Sequence, residues 1–424
     1  MPPPHIYLDH NATAPILPEV AEAVRDAALR YPGNPASQHE PGRQARRALE
    51  TTRQQIGELL GARTTGMDAD QVIFTSGGTE SNNLALTGLA GWHALRYSAG
   101  RGDLPGDPPR PSSTQGVPPV VRLLISALEH PSISRTAEHL ATTGCHVERI
   151  GVTPQGVIRI DQLEVLLSEP PESSDSRPSA LDPRPLVSVM LASNETGVLQ
   201  PIAEIAALCR QRGVLVHTDA VQAVGKIPVH FRDLGVDALT AAAHKFHGPL
   251  GIGVLIVRHG VPLASSIHGG FQQSALRPGT ESVALAIGMQ TALEHWHAEA
   301  ETRRLRLSAL RDQFEQAILS GHLDAIVIGA DAPRLPHTSN IAFIGLNRQA
   351  LVMALDLAGV ACSTGSACAS GSSEASPALL AMGLPEEVIS SSVRFSLGAT
   401  TTAAEIAEAA RRILSVCNHL RHEK

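Results

Sequence analysis

Short apolar runs alternate along this chain with longer stretches in which apolar residues recur every three or four positions. The first pattern predicts β-strands, and the second predicts helices that bury one face. Strands are predicted at residues 72–74, 121–125, 187–191, 214–217 and 253–257. Helices are predicted at residues 41–60, 82–95, 135–143 and 202–211. Strands that alternate with helices favour an α/β fold with a mainly parallel sheet that is covered on both faces.

From about residue 299 the pattern becomes more helical, which indicates a second domain. The last helix is marked most clearly, because Thr402 and Glu405 have the spacing of a capping box. Apolar residues follow at spacings of three and four, at Ile406, Ala410, Ile413, Cys417 and Leu420. Cys417 is therefore expected in the core, where free cysteine is common.

Two stretches, residues 98–119 and 169–185, are rich in Gly, Pro and Ser. Each has few residues that could be buried, so we expect both to be surface loops inserted between the regular elements.

Composition narrows the classes of function. The 424 residues are 43% apolar, enough for a large core, and 34 basic against 41 acidic residues give a net charge of −7. No basic run predicts a nucleic-acid surface, and apolar stretches such as residues 251–257 are too short to cross a bilayer. The start has no signal-peptide pattern, and the five cysteines are too scattered for a disulfide framework. We expect a cytoplasmic protein that binds neither nucleic acid nor membrane.

Residues 74–83, FTSGGTESNN, follow a predicted strand and open a predicted helix. Glycines let the backbone approach a ligand closely, and the free N–H groups of a helix start suit a phosphate. An ordinary glycine-containing turn with a helix cap has the same pattern, so this segment alone does not decide its role.

Two further residues extend the phosphate interpretation. Asp219 follows the predicted strand at 214–217, at the edge where α/β sheets bind ligands, and could pair with a protonated ring nitrogen or cap a helix. Lys245 lies between small apolar residues and a Gly-Pro turn, where a desolvated amine could form a Schiff base; a solvent-facing lysine is the alternative. Together with a phosphate cradle, these groups are what a protein supplies to pyridoxal 5′-phosphate.

Two histidine motifs and a thiol complete the candidates. His130 follows the predicted strand at 121–125 and could act in catalysis by stacking on a cofactor ring and shuttling protons, or could make a local hydrogen bond in a loop. His244 and His247 lack the partner ligands of a metal site, so no metal is predicted. Cys368 lies among Ser, Thr, Gly and Ala, unlike a buried cysteine, and could reach a reacting group. Cys362 is expected to pack.

The motifs resemble those of the cysteine desulfurases of the NifS/IscS type, in class V of the fold-type I pyridoxal phosphate enzymes. The resemblance extends over residues 6–420, apart from the two insertions, and rests on nine motifs: LDHNAT (8–13), GNPAS (33–37), TSGGTESNN (75–83), NETG (194–197), TDAVQ (218–222), HK (244–245), RPGT (277–280), GSAC (365–368) and VRFS (393–396). It implies a large domain with a mainly parallel sheet at residues 14–296. A smaller α+β domain at residues 1–13 and 297–424 would carry the cysteine loop.

The resemblance also implies roles around the cofactor. Lys245 would bind pyridoxal phosphate as an internal aldimine, and Asp219 would keep its ring nitrogen protonated. Gln222 would bond the ring hydroxyl, His130 would stack on the ring, and Asn194 would lie near ring and substrate. The phosphate would be held by Gly78, Thr79 and His244, with Thr280 arriving from the partner subunit of a homodimer.

The implied reaction converts L-cysteine to L-alanine. Arg394 would bind the substrate carboxylate, and Cys368 would take the sulfur as a persulfide for transfer to a sulfur-acceptor protein such as an iron–sulfur scaffold. Three alternatives stay open. A selenocysteine lyase shares the fold and the cofactor, and a class V aminotransferase also does but would not need Cys368. A non-catalytic relative would not need Lys245. The GSAC motif favours the desulfurase.

This chain departs from the family pattern near the phosphate site. A serine often precedes the His-Lys pair by two residues, where this chain has Ala242. The usual GGGxE segment reads GGFQQ at residues 269–273, and a common lysine is replaced by Leu250. We expect a phosphate site that is altered and retained.

Overall fold

A seven-stranded sheet forms the centre of the computed structural model, which describes residues 5–89, 121–168, 185–322, 324–365 and 375–422. The strands are β1 Ile6–Tyr7, β2 Gln71–Thr75, β3 Arg122–Ser126, β4 His146–Ile150, β5 Leu186–Ser188, β6 Leu215–Asp219, β7 Ala238–Ala242, β8 Gly253–Val257, β9 Ala325–Val327, β10 Thr338–Phe343, β11 Val360–Ala361 and β12 Ser392–Ser396.

The helices are α1 Pro18–Arg30, α2 Glu40–Leu59, α3 Gly78–Leu89, α4 Pro131–Ala141, α5 Ile160–Ser168, α6 Ile202–Arg210, α7 Phe231–Leu234, α8 Val283–Gly321, α9 Arg348–Leu357, α10 Pro377–Ala381, α11 Glu386–Ser390 and α12 Ala403–His422. Two 3₁₀ turns lie at Ala243–Lys245 and Gln272–Ala275.

The strand order of the central sheet is β2-β8-β7-β6-β5-β3-β4. Strands β3 to β7 pair in parallel, whereas β8 runs antiparallel to β2 and β7, so the predicted mainly parallel sheet is confirmed. All five predicted strands are present, although β5 ends at Ser188, three residues before its predicted end. Strand β7 was missed because its sequence, ALTAA, lacks a run of β-branched residues.

Alternate residues of the strands enter two different hydrophobic clusters, one on each face of the sheet. In β3, Leu124 joins one cluster with α2 and α6, whereas Leu123 and Ile125 join the other with α3 and α4. Both faces are therefore covered, as the apolar runs predicted. The carboxyl ends of β3, β6 and β7 meet along one edge, which places the residues after them side by side.

A second structural unit gathers around the three-stranded antiparallel sheet β12-β10-β9. Its core contains residues of β1, α9 and α12 and the second half of α8, including Phe314 and Ile318. The first half of α8, including Met289 and Leu293, packs instead against the central sheet. The predicted domain boundary between residues 296 and 297 falls inside this one helix, and the division stays a prediction.

The last helix has the predicted cap. Glu405 accepts a hydrogen bond from the backbone N–H of Thr402 at 2.8 Å, and the Thr402 hydroxyl accepts one from the N–H of Glu405 at 3.2 Å. Cys417 is fully buried in the core of the second unit, as predicted.

Some predictions fall on other parts of the chain. The expected surface loops at 98–119 and 169–185 lie outside the described residues, apart from residue 185. Within the described ranges, no helix is both long and apolar enough to cross a bilayer.

Candidate active site

A cavity of about 290 Å³ opens at the carboxyl edge of the central sheet. It brings together the eight residues that were assigned roles around the cofactor or its phosphate and that line it: Gly78, Thr79, His130, Asn194, Asp219, Gln222, His244 and Lys245. The remaining lining residues are Ala12, Asn82, Ser132, Met190, Ala192, Val221 and Ala242. Residues that are 233 positions apart in the chain, such as Ala12 and Lys245, therefore share one site.

The start of α3 forms one end of the cavity. Strand β2 leads into Ser76 and Gly77, and α3 begins at Gly78 with its first N–H groups free of helical partners. A Cβ at Gly78 would lie 2.9 Å from the Val221 side chain, so glycine is required for this close approach. Helix α3 is twelve residues long and begins in an open glycine turn, so its N-terminus is suited to a phosphate group.

His244 lines the same cavity and is held toward the N-terminal segment. Its Nδ1 lies 3.2 Å from the hydroxyl of Thr13. Burial, together with the nearby amines of Lys245 and Lys226, lowers the pKa of His244 to about 4. The ring is therefore neutral at pH 7 and can contribute a hydrogen bond.

Asp219, the last residue of β6, is held from two sides. Its Oδ1 accepts the N–H of Val221 at 2.9 Å, and its Oδ2 accepts Nδ2 of Asn82 at 2.7 Å. Asn82 also donates to the hydroxyl of Ser132 at 2.8 Å, which lies 2.8 Å from Nδ1 of His130. A continuous polar network thus joins the acid to His130, and sequence reasoning missed Asn82 and Ser132 as its links.

His130 caps α4 while it lines the cavity. Its Nδ1 accepts the backbone N–H of Ser132 at 3.1 Å, so the neutral ring carries its proton on Nε2. Burial lowers the pKa of His130, Lys245 lowers it further, and Asp219 acts in the opposite direction. The neutral ring can therefore stack on another ring or donate from Nε2.

Lys245 lies in the 3₁₀ turn after β7 and reaches the N-terminal segment. Its Nζ donates to the backbone carbonyls of Asn11 and Ala12, each at 2.7 Å. Lys226, which is 4% exposed, donates its Nζ to the carbonyl oxygen of Lys245. Burial, Lys245 and Arg303 lower the pKa of Lys226 to about 7, so a second amine that is largely uncharged in mildly alkaline solution lies behind the first.

Gln222 leaves an acceptor that a ligand could use. Its Nε2 donates to the carbonyl of Asn11 at 3.0 Å, whereas its Oε1 is buried and has no hydrogen-bond partner among the described residues. Buried acceptors without a donor are costly, and this one lies on a lining residue of the cavity. A ring hydroxyl on a bound cofactor would satisfy it.

Three predicted residues lie elsewhere. Arg394 is 2% exposed and does not line the cavity; its Nη2 pairs with Asp9 at 2.7 Å, and its Nη1 donates to the carbonyl of Asn194 at 3.0 Å. Thr280 is exposed on the segment before α8. Cys368 lies outside the described residues. Cys362 packs partly buried against the second core, where burial raises the pKa of its thiol.

The segment that carries Thr280 is fastened to β2 and to α3, which forms one end of the cavity. The Gln273 amide accepts the N–H of Phe74 at 2.7 Å and donates to the carbonyl of Phe74 at 2.8 Å. Arg277 forms two hydrogen bonds with Glu80 in the first turn of α3, at 2.7 and 3.1 Å. The altered residue Gln273 thus binds both backbone groups of an edge-strand residue, which a glutamate could not do.

Comparison with known proteins identifies the family of this chain. The chain matches the family described as Aminotransferase class-V over residues 6–98 and 114–408. It is 37% identical over 401 residues to the cysteine desulfurase IscS of Dictyoglomus turgidum, covering 95% of this chain and 91% of that protein. It is 34% identical over 417 residues to the cysteine desulfurase NifS of Azotobacter vinelandii, covering 98% and 94%. The X-ray structure of a NifS-like protein from Rickettsia africae aligns with a TM-score of 0.81 at 30% identity, covering 98% of this chain and 99% of that one.

Proposed function

Because this chain belongs to the cysteine desulfurases of the aminotransferase class-V family, we propose that it removes sulfur from L-cysteine with pyridoxal 5′-phosphate held on Lys245. The observation that carries the proposal is one cavity in which an amine, an acid and an open helix start face each other. These are Lys245, Asp219 and the first turn of α3, the three groups that this cofactor requires of a protein.

The residues present fit the cofactor. The glycine turn at Gly78 admits a phosphate that a side chain would exclude, and the unpartnered Oε1 of Gln222 can accept a ring hydroxyl. Gly78, Thr79 and His244 would hold the phosphate, Asp219 would bond the ring nitrogen, and His130, with Asn194 nearby, would cover the ring. When bound, pyridoxal phosphate supplies an electron-withdrawing ring that stabilises negative charge on the substrate Cα.

The chain's own groups then divide the work. Lys245, once freed by the substrate amine, would take the Cα proton. Arg394 would bind the substrate carboxylate through the fork of its guanidinium, which requires that it exchange its present partner Asp9. The Cys368 thiolate attacks the substrate sulfur: an S–S bond forms on Cys368, the Cβ–S bond breaks, and the carbon skeleton gains protons and leaves as L-alanine.

The proposal extends to assembly and location. We propose a homodimer in which Thr280 reaches the phosphate end of the partner's cavity; its exposed position on a segment fastened by Gln273 supports this. A sulfur-acceptor protein would receive the persulfide sulfur. A cytoplasmic location stays a prediction; the four described cysteines, Cys145, Cys209, Cys362 and Cys417, are all free thiols.

The first experiment follows the cofactor itself. Purified protein mixed with pyridoxal phosphate is expected to gain a visible absorbance band, and Lys245→Ala is expected to lose it. Lys245→Arg is the matched control, since it keeps a positive charge and cannot form an imine. A wild-type protein with no band that depends on Lys245 would refute the proposal.

The second experiment follows the products. With L-cysteine, the loaded enzyme is expected to form L-alanine, and alkylation followed by mass spectrometry is expected to find a persulfide on Cys368. Cys368→Ala is expected to keep the absorbance band and to lose the persulfide. Turnover of selenocysteine without turnover of cysteine would overturn the assignment of substrate.

A further inference from the structure

Glu195 is a buried carboxylate that the proposed reaction does not use. It is 5% exposed and follows Asn194, which lines the cavity. The backbone of this turn is fixed on both sides, since the N–H of Glu195 donates to Ser193 Oγ and its carbonyl accepts Nδ2 of Asn340, each at 3.2 Å. The direction of the Glu195 side chain is therefore set by the same turn that places Asn194 in the cavity.

One carboxylate oxygen of Glu195 binds Ser376, which lies just after the segment that carries Cys368 (residues 366–374). The hydroxyl of Ser376 donates to Oε2 of Glu195 at 2.7 Å. The same hydroxyl accepts the N–H of Leu379 at 3.1 Å and so caps α10. Ser376 is thus held between a helix start and a buried carboxylate.

The same oxygen also packs against Gly365, the residue just before that segment. A Cβ on Gly365 would lie 3.0 Å from Oε2 of Glu195, and the φ of Gly365 is +90°, so a glycine packs directly against the carboxylate. The Gly365 carbonyl accepts Nη1 of Arg394 at 3.3 Å, and its N–H donates to Ser363 Oγ at 3.2 Å. Residues 366–374, which include Cys368, are the part of the chain between these two contacts.

A buried carboxylate is a costly choice for this position. Burial raises the pKa of Glu195, while Ser376, Arg394 and Arg348 act in the opposite direction. A neutral amide could accept one serine hydroxyl at less cost in desolvation. What distinguishes Glu195 is that its oxygen contacts both borders of one segment.

We propose that Glu195 is a positioning residue for sulfur transfer: its carboxylate holds Gly365 and Ser376, the two residues that border the segment carrying Cys368. This inference rests on the proposed role of Cys368 as the sulfur acceptor. Cys368 is the third residue after Gly365 in the sequence. Fixed ends keep the local concentration of the thiol at the cavity high, and a released end lowers it.

The test separates cofactor binding from sulfur transfer. Loaded wild-type enzyme is compared with Glu195→Ala, Glu195→Gln and Ser376→Ala in single turnovers with L-cysteine. The absorbance band and the rate of its change on substrate addition are expected to match wild type. The rate of persulfide formation on Cys368, trapped by alkylation and measured by mass spectrometry, is expected to fall about tenfold in Glu195→Ala.

The other variants are expected to reduce the rate of persulfide formation by different amounts. Glu195→Gln, which keeps an acceptor for Ser376, is expected to recover to within about threefold of wild type, and Ser376→Ala is expected to be intermediate. Asp70→Ala is the matched control, because Asp70 is another buried carboxylate and accepts hydrogen bonds from Arg63 and Arg232 away from the cavity. It is expected to lower stability and to leave the persulfide rate unchanged.

Two results would overturn the inference. One is a wild-type persulfide rate in both Glu195→Ala and Ser376→Ala. The other is a parallel loss of absorbance band and persulfide in Glu195→Ala, which would show a structural role alone. Cys368→Ala distinguishes the underlying function: if it turns over cysteine as fast as wild type, the proposed function fails and the inference fails with it.

Discussion

The buried histidine His217 provides a quantitative test of how this fold responds to acid. It lies in β6 with no exposed surface, and its two ring nitrogens meet hydroxyls of β5 and β7: Ser188 at 2.9 Å and Thr240 at 3.0 Å. Burial lowers its pKa from 6.5 to about 3. At pH 5 the ring is therefore neutral in the folded protein and almost fully protonated in the unfolded chain.

The direction and size of the effect follow from proton linkage. Because the unfolded state binds the extra proton, this histidine makes stability fall as the pH drops below 6.5, down to about pH 3. Between pH 8 and pH 5 the loss is about 1.5 pKa units, or roughly 2 kcal/mol. Burial raises the pKa of the carboxylates Glu129 and Glu195, which makes stability rise as the pH falls. The stability that the whole protein loses between pH 8 and pH 5 therefore does not measure the contribution of His217 alone.

A substitution isolates the contribution of His217 to the pH dependence of stability. Urea unfolding at pH 8 and pH 5 is measured for wild type and for His217→Gln at the same cofactor saturation. The variant is expected to be less stable at pH 8, because Gln packs less well between the strands. Its loss between pH 8 and pH 5 is expected to be smaller than that of wild type by roughly 2 kcal/mol. His139→Gln, at an exposed position, is the control for removing one histidine. Equal losses for wild type and His217→Gln would refute the assignment of a neutral buried ring.

Three further predictions concern the cavity. Ala242→Ser adds a hydroxyl next to Gly78, since a Cβ built on Gly78 would lie 3.6 Å from the Cβ of Ala242. The variant is expected to bind pyridoxal phosphate about 5- to 10-fold more tightly in a dialysis titration. Weaker binding would contradict this prediction. Lys226→Met removes an amine whose pKa is lowered to about 7, so the rise of stability between pH 7 and pH 10 that this amine causes is expected to disappear from urea titrations. Gln273→Glu cannot donate to the carbonyl of Phe74 and is expected to cost about 1–3 kcal/mol in urea unfolding, a loss that Gln272→Glu should not share.

Local motifs were sufficient to predict much of this molecule. The strand that ends at Asp219 and the glycine turn at Gly78 are each encoded in fewer than ten consecutive residues, so their positions followed from the sequence. The capping box at Thr402 was equally local. Strand β7 was not predictable in this way, because its alanines are selected by complete burial between β6 and β8, and not by strand propensity.

The contacts that complete the site are long-range and could not be read from the sequence. Asn82 bonds Asp219 across 137 positions, and Ser376 bonds Glu195 across 181. Lys226 carried a weak signal, as a lysine between apolar residues, yet its partner at Lys245 depends on how two turns pack. In each case the residue type was visible and the partner was set by the tertiary fold.

The pairing of β1 with β11 sets the order in which the site can be completed during synthesis. Ile6 pairs with Val360, and the segment that follows β1 supplies the carbonyls of Asn11 and Ala12 to Lys245. A ribosome adds roughly 5–20 residues per second, so the first strand waits about 20–70 s for its partner to be made. The central sheet can form from β2 to β8 during that interval, before the β1–β11 pair that precedes Asn11 and Ala12 in the chain can form.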